Sequence, residues 1–195
     1  MENEYLIVGL GNPGREYERT RHNAGFMVAE RLAGLWKASW SVEKKFSARI
    51  ATVERDEKRV WLCQPQTYMN LSGESVGAVV GFRKFELERV MVVVDDADLP
   101  LGEIRLRSSG SSGGHHGLDS VEQHLGTRDY TRQRIGIGRR DNTVREIAGH
   151  VLSRFSAGEQ EVLEKVLQRA CDQLECWLKY GVARAMSQLN GAVKI

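Results

Sequence analysis

One short segment sets the strongest limit on what this chain can fold into. Residues 90–94 form an unbroken apolar run that stops abruptly at Asp95-Asp96-Ala97-Asp98. A strand without polar alternation is covered on both faces, as in a sheet that lies between helices. Its acidic end places carboxylates at a strand terminus, where α/β proteins usually bind their ligands. The run therefore favours an α/β fold with a candidate site near Asp95.

Strand and helix patterns alternate along the rest of the chain. Apolar or alternating runs predict strands at 5–8, 48–53, 60–63, 103–107 and 134–138. Helical spacing of apolar residues predicts helices at 22–36, 71–85, 118–125 and 159–189. The charged turn at 54–59 joins two strands into a hairpin, which makes the sheet mixed. We expect a single α/β domain over residues 1–195, with a mixed, largely parallel central sheet flanked by helices.

Composition narrows the classes of function. The 195 residues include 28 Lys+Arg and 26 Asp+Glu, so a nucleic-acid-binding chain must concentrate its basic residues on one face. No apolar run approaches the ~20 residues that span a membrane, and the N-terminus lacks the basic start of a signal peptide. The three cysteines contain no C-x-x-C motif. We expect a cytoplasmic protein with reduced thiols and no membrane partner.

The segment Gly9-x-Gly11-x-x-Gly14 formally matches the dinucleotide-binding fingerprint. Pro13 and a polar stretch at 15–21 separate it from the next helix, which argues against a nicotinamide or flavin site. A tight turn that needs glycine geometry is the simpler interpretation. A third interpretation uses Asn12, whose amide both donates and accepts hydrogen bonds and suits a peptide-like ligand.

A second glycine-rich segment, Gly110-Ser-Ser112-Gly-Gly114, matches the nucleophile elbow of serine hydrolases. Such an enzyme would pair Ser112 with Asp129 or Asp141 and with His150, but a Gly/Ser-rich loop matches this pattern easily by chance. The nearby histidines fit no common zinc site. They are His115, His116 and His124.

Arginine is concentrated in one third of the chain. Arg105 and Arg107 are two residues apart on a predicted strand and therefore share one face. That face is either a phosphate-binding stripe or an ordinary solvated surface. The full cluster is Arg105, Arg107, Arg128, Arg132, Arg134, Arg139 and Arg140.

Three further polar residues stand at the ends of predicted elements. His22 lies at a loop-to-helix junction, Asn70 precedes another helix, and Asp95 ends the buried strand. Each alone is commonly a helix cap or a satisfied polar group.

Six segments taken together resemble the bacterial-type peptidyl-tRNA hydrolases. They occur in order, at the spacing of that family, over nearly the whole chain. The segments are Leu6-Ile-Val-Gly-Leu-Gly-Asn-Pro-Gly14, Thr20-Arg-His-Asn-Ala-Gly25, Met69-Asn-Leu-Ser-Gly73, Asp95-Asp-Ala-Asp-Leu-Pro100, Gly113-Gly-His-His-Gly117 and Arg134-Ile-Gly-Ile-Gly138.

The resemblance implies a monomeric enzyme without metal or cofactor that cleaves the ester between a peptide and the 3′ end of tRNA. His22 matches the catalytic histidine and Asp95 its carboxylate partner. The implied substrate-binding residues are Asn12, Tyr17, Asn23, Met69, Asn70 and His116, and the implied tRNA-binding residues are Arg105, Arg107, Arg132 and Arg134. The residue types suit ester hydrolysis, because a neutral histidine can activate water and an aspartate can fix its tautomer.

One position departs clearly from the family pattern. The usual loop reads Gly-Gly-His-Asn-Gly, and here His116 takes the place of the asparagine; Asp96 also replaces a more usual glutamate. We expect either an altered pH profile or reduced activity. The departure keeps open a second function, that of a non-catalytic RNA-binding relative. The presence of both His22 and Asp95 favours the hydrolase.

Overall fold

The computed structural model describes residues 3–139 and 144–194, so Arg140 and Asp141 lie outside the described ranges. The strands are β1 (Glu4–Gly9), β2 (Ser41–Glu43), β3 (Ala48–Arg55), β4 (Lys58–Pro65), β5 (Val90–Asp96), β6 (Glu103–Arg107), β7 (Thr131–Gly136) and β8 (Gly191–Ala192). The helices are α1 (Ala24–Leu35), α2 (Ser72–Arg83), α3 (His116–Leu125), α4 (Val144–Val151), α5 (Gln160–Tyr180) and α6 (Val182–Leu189).

All eight strands belong to one sheet with the order β2-β3-β4-β1-β5-β7-β6-β8. The central strands β4, β1, β5 and β7 pair in parallel, and the flanking pairs are antiparallel. The predicted mixed sheet flanked by helices is confirmed. Parallel pairing is limited to the centre, because β3 and β4 form a hairpin and β6 runs antiparallel to both β7 and β8.

Helices cover the sheet on both faces. Both faces of β5 are therefore buried, which explains why its sequence lacks polar alternation. Met91 and Val93 belong to the apolar cluster under α1 and α5, whereas Val92 and Val94 belong to the cluster under α2 and α3. All four side chains are almost completely buried. Burial of each contributes about 1.5–3 kcal/mol, so the central strand is anchored from both sides.

The element boundaries differ from the sequence pattern where tertiary contacts decide them. β7 begins at Thr131 rather than 134, since its polar residue Gln133 is buried and bonds the carbonyl of Ala170 and the side chain of Gln173. The predicted tail helix is divided into α5 and α6 at Gly181, whose φ of +84° an L side chain rarely adopts. The sequence analysis missed β2, β8 and α4, which are short elements.

Within the described part of the chain, none of the helices combines the length and apolarity needed to cross a bilayer. The three cysteines are free thiols. Burial raises the pKa of Cys63 and of Cys171 to about 12, so both stay protonated at neutral pH. Their chemistry is that of inert core residues.

Candidate active site

The carboxyl ends of β1 and β5 meet at one edge of the sheet, because the two strands are parallel neighbours. Asn12 follows β1, and Asp95 is the penultimate residue of β5. A cleft of about 710 Å³ opens between them. His22, Met69 and His115 also line it, so the structure brings together residues that are as much as 103 positions apart. This position agrees with the general location of ligand sites in α/β proteins.

Two glycines allow the amino end of α1 to sit directly on these strand ends. A Cβ on Gly25 would lie 2.3 Å from the carbonyl oxygen of Val93, and a Cβ on Gly9 would lie 2.2 Å from that of Gly25. Both distances are impossible for real side chains, so only glycine permits this approach. The close packing carries His22, in the 3-10 turn before α1, to the end of β5.

A carboxylate shared by two imidazoles forms the centre of the site. Nδ1 of His22 lies 2.9 Å from Oδ1 of Asp95 and 3.1 Å from Oδ2. Nε2 of His115 lies 2.9 Å from the same Oδ1. Nδ1 of His115 accepts hydrogen bonds from the backbone N–H groups of Gly117 and Leu118, which assigns the proton of neutral His115 to Nε2. Asp95 therefore receives an N–H from each ring.

The contacts of Asp95 determine its charge. Burial by itself raises the pKa of its carboxyl group, but the two imidazoles oppose burial and hold the pKa well below its usual range. An ionised Asp95 accepts the Nδ1 proton of His22, which leaves Nε2 of a neutral His22 unprotonated. His22 lines the cleft, so the ring presents a proton acceptor to a bound substrate.

Asn12 and Asn23 form a second polar unit beside the imidazoles. Asn23 accepts from the backbone N–H of Asn12 and donates to its carbonyl, at 2.9 and 3.0 Å. Oδ1 of Asn12 in turn accepts from the backbone N–H of Met69 at 2.7 Å. Its Nδ2 has no partner among the described residues and belongs to a cleft-lining side chain. The side chain of Asn23, which was predicted to bind substrate, is buried and hydrogen-bonds the backbone of Asn12, so it positions that residue.

The other predicted substrate residues differ in position. Met69 and Asn70 line the cleft, Met69 buried and Asn70 exposed. His116 is at the rim, with 82% of its side chain exposed and Nδ1 3.7 Å from Asp119. Tyr17 does not line the cleft; its ring packs edge-on against that of Tyr68, which does. Tyr17 therefore reaches the site only through Tyr68.

The predicted tRNA-binding arginines lie on adjacent strands. Arg105 pairs in register with Arg134, and Arg107 pairs with Arg132, so all four lie on one face of the sheet. Arg107 is exposed and has no ion-pair partner among the described residues. Arg105 lies 3.6 Å from Glu103. The part of this face that carries Arg105 and Arg107 is exposed and accessible to a phosphate group.

Arg132 is the exception, and its predicted role in tRNA binding is not compatible with its position. Only 1% of its side chain is exposed. Its guanidinium donates to the carbonyls of Ser111 and Arg128 and lies 4.2 Å from the ring centre of Tyr130. Burial lowers the pKa of Arg132, and Glu122 at 3.6 Å partly compensates. Arg132 anchors the loop before α3 instead of contacting solvent.

Arg134 lies at the edge of the cleft. Together with Arg105 and Arg107 it forms the arginine face of the sheet. Its Nε lies 2.9 Å from Oδ2 of Asp96, the residue that follows Asp95. Burial raises the pKa of Asp96, and Arg134 opposes this effect. Oδ1 of Asp96 accepts from the backbone N–H of Asp98, which closes the turn after β5. Asp96 thus holds Arg134 at the edge of the cleft.

The alternative enzyme sites do not form. Ser112 accepts a hydrogen bond from the backbone of Gly114, while His150 contacts the carbonyl of Ile137, so the two are not paired. Asp141, the second candidate acid, lies outside the described residues. His124 contacts the carbonyl of Ser120 within its own helix and so does not join the other histidines.

A metal ion has one geometric candidate among the described residues. The facing atoms of His22, Asp95 and His115 lie within 4.8 Å of one another. An ion there would displace both imidazole protons that Asp95 accepts. The distances of 2.9–3.1 Å fit hydrogen bonds from both rings to Asp95.

Sequence reasoning missed two parts of the site. His115 was given an individual role only as a possible metal ligand, although it lies within the recognised segment Gly113-Gly-His-His-Gly117. The wall formed by Ile147, Val151 and Leu152, in and just after α4, was also missed. No sequence signal placed this short helix over the cleft.

Comparison with known proteins decides the family. The peptidyl-tRNA hydrolase family model matches residues 6–195. The chain belongs to the peptidyl-tRNA hydrolase family. A peptidyl-tRNA hydrolase of Synechocystis sp. (strain ATCC 27184 / PCC 6803 / Kazusa) is 46% identical over 185 residues, which cover 95% of each chain. One from Anaeromyxobacter sp. (strain K) matches with the same identity and coverage. The resemblance found in the six segments is confirmed.

Solved structures agree with this assignment. The peptidyl-tRNA hydrolase of Acinetobacter baumannii is 36% identical and superposes with a TM-score of 0.93 over 99% of this chain and 97% of that one. A 5′-methylthioadenosine nucleosidase from Arabidopsis thaliana has a TM-score of 0.53 at 7% identity and is similar in fold alone. The chain therefore has the same fold as a solved peptidyl-tRNA hydrolase.

Proposed function

We propose that this protein hydrolyses the ester between a peptide and the 3′ end of tRNA, with His22 as general base. The observation that carries the proposal is the contact of His22 Nδ1 with buried Asp95, which leaves Nε2 as an acceptor in the cleft. Membership of the peptidyl-tRNA hydrolase family supplies the substrate class. No nucleophilic serine or cysteine is needed, because water is the nucleophile.

The reaction follows from these contacts. Nε2 of His22 takes a proton from water as the water oxygen attacks the ester carbonyl. Ionised Asp95 stabilises the resulting imidazolium and keeps the ring oriented. Nδ2 of Asn12 stabilises the oxyanion, an effect worth about 3–4 kcal/mol in other hydrolases. Collapse of the tetrahedral intermediate breaks the ester bond, and His22 returns the proton to the departing 3′ oxygen of the ribose.

Other cleft residues bind the two halves of the substrate. Met69, Asn70 and His116 contact the peptidyl group near the ester, and Tyr17 supports this wall through Tyr68. Phosphates of the tRNA bind the arginine face, which comprises Arg105, Arg107 and Arg134. Direct participation of Asn23 and Arg132 is not part of the proposal, because both are buried in hydrogen bonds.

We further propose that the enzyme acts as a monomer in the cytoplasm, as one domain, without metal, cofactor or membrane partner. One sheet that extends from Glu4 to Ala192 supports the single domain. Three free thiols are consistent with a reducing compartment. The complete set of groups for proton transfer supports a reaction that uses water alone.

The test compares an N-acetylaminoacyl-tRNA with the same tRNA carrying a free α-amine. We expect cleavage of the blocked substrate only, unchanged by a chelator and reduced at least 1,000-fold in His22→Ala, whose tRNA affinity stays near that of the wild type. Ser112→Ala should retain activity. Loss of activity in Ser112→Ala would favour a serine esterase. Tight tRNA binding without cleavage by the wild type would indicate the non-catalytic RNA-binding relative.

A further inference from the structure

A second cavity lies beside the catalytic cleft, and the proposed reaction does not use it. It encloses about 650 Å³ and lies against the loop after β1, the first half of α1 and the ends of β3 and β4. Asn12 lines both this cavity and the catalytic cleft. A substrate bound at Asn12 can therefore continue from one space into the other.

The order of strands sets the direction of this continuation. The catalytic groups belong to the ends of β1 and β5, the arginine face to β7 and β6, and the second cavity to β4 and β3. Phosphate-binding side chains and the second cavity thus lie on opposite sides of the catalytic pair. The ester likewise joins two moieties that extend in opposite directions, so a tRNA on the arginine face directs its peptide towards the second cavity.

The charges of the second cavity indicate which peptides it favours. Arg49 is neutralised by Glu30 at 2.8 Å. Arg15 and Arg19 are exposed at the rim and have no ion-pair partner among the described residues, and Glu18 is the remaining lining carboxylate. An acidic side chain of a peptide bound in this cavity would therefore lie near two guanidinium groups without ion-pair partners among the described residues. Guanidinium groups form charge-assisted hydrogen bonds with carboxylates.

We propose that this second cavity binds the peptide beyond the esterified residue and selects acidic side chains there. The inference rests on the proposed function. Two strand spacings of ~4.8 Å separate β1 from β3, which corresponds to about three extended residues. Arg15 and Arg19 line this cavity, and we assign them to the second and third residues counted from the ester.

The experiment uses one tRNA that carries four blocked peptidyl groups. They are N-acetylaminoacyl alone and the same residue preceded by Gly-Gly, Asp-Asp or Lys-Lys. For the wild type we expect kcat/KM for Asp-Asp to exceed that for Lys-Lys by roughly fivefold, the size that two exposed ion pairs give. Arg15→Gln/Arg19→Gln should bring this ratio close to one, and Arg15→Glu/Arg19→Glu should invert it.

A matched control variant separates the local effect from net charge. Lys84→Glu/Lys179→Glu changes the charge equally at exposed positions that line neither cavity, so we expect the wild-type ratio. Thermal unfolding verifies that every variant is folded. An equal ratio in the wild type and both arginine variants would overturn the proposal. The proposal would also be overturned if Arg15→Glu/Arg19→Glu weakened the binding of tRNA without an aminoacyl group and slowed the cleavage of all four substrates alike. That result would show that the cavity faces nucleic acid. Failure of the wild type to cleave even the N-acetylaminoacyl group would instead refute the proposed function.

Discussion

Nε2 of His115 lies 2.9 Å from Oδ1 of Asp95, and its Nδ1 accepts from the first backbone N–H groups of α3. A single imidazole thus caps a helix and donates to the buried carboxylate. The loop that carries the histidine is thereby connected to the catalytic pair, because α3 cannot shift without moving a donor away from Asp95. The two functions of the His115 ring, which are to cap α3 and to donate to Asp95, can be separated by substitution.

His115→Asn tests the donor function. Asparagine is a good helix cap, so α3 should persist, but the shorter side chain cannot span the distance to Asp95. A hydrogen bond to a charged group contributes about 1.5–3 kcal/mol, and we expect kcat/KM to fall about 10- to 100-fold. The control is His124→Gln in the same helix; His124 hydrogen-bonds the carbonyl of Ser120 and does not line the cleft, so this variant should remain near wild-type activity. Equal activities for both variants would contradict the assigned contact.

Asp95→Asn should reveal a pH-dependent contribution to stability. The imidazoles hold the pKa of Asp95 below its unfolded value of about 3.9, so ionised Asp95 stabilises the folded state above about pH 4. This contribution is lost as the pH falls through the lowered folded pKa. The difference in unfolding free energy between wild type and variant should therefore shrink below pH 4 in urea titrations. A difference that stays constant from pH 7 to pH 3 would be inconsistent with the lowered pKa; substitution of the exposed Asp172 of α5 by Asn provides the comparison.

The arginines of β6 and β7 should separate into two groups. Arg105→Gln and Arg107→Gln should each reduce the slope of log affinity against log salt by about 1 in tRNA-binding titrations. Arg132→Gln should instead lower the free energy of unfolding by about 3 kcal/mol, because it removes a buried guanidinium that pairs with Glu122 and donates to the carbonyls of Ser111 and Arg128. An unchanged salt slope in the first two variants would remove them from the interface. Wild-type stability of Arg132→Gln would show that its burial is not structural.

His116→Asn restores the amide that the family usually carries at the cleft rim. The imidazole can gain a proton as the pH falls, and an amide cannot. We expect the variant to match or exceed wild-type kcat/KM at pH 7 and to lose less activity between pH 7 and pH 5.5. Superimposable pH profiles for wild type and His116→Asn would show that His116 does not titrate in the site.

The sequence alone determined the local parts of this protein. The run at 90–94 predicted a strand covered on both faces, and the structure divides its side chains between two apolar clusters. The hairpin, α1, α2 and the long tail helix also followed from local periodicity. The six segments identified the family and named His22, Asp95 and Asn12. Short-range patterns suffice for such features, because they report burial and turns within a few residues.

Tertiary structure decided which side chains are available for chemistry. The sequence treats Arg132 and Arg134 alike, yet Arg132 is buried against Tyr130 and donates to the carbonyls of Ser111 and Arg128, whereas Arg134 reaches the cleft and pairs with Asp96. It offers Asn12 and Asn23 as equivalent amides, but Asn12 lines the cleft, whereas Asn23 hydrogen-bonds the backbone of Asn12. His115 joins His22 and Asp95 because α3 begins beside the end of β5. These outcomes depend on strand register and on the crossover connections between distant segments. The physical reason is that the hydrogen-bond partner of a buried side chain is the group nearest to it in the folded structure, which need not be near it in sequence.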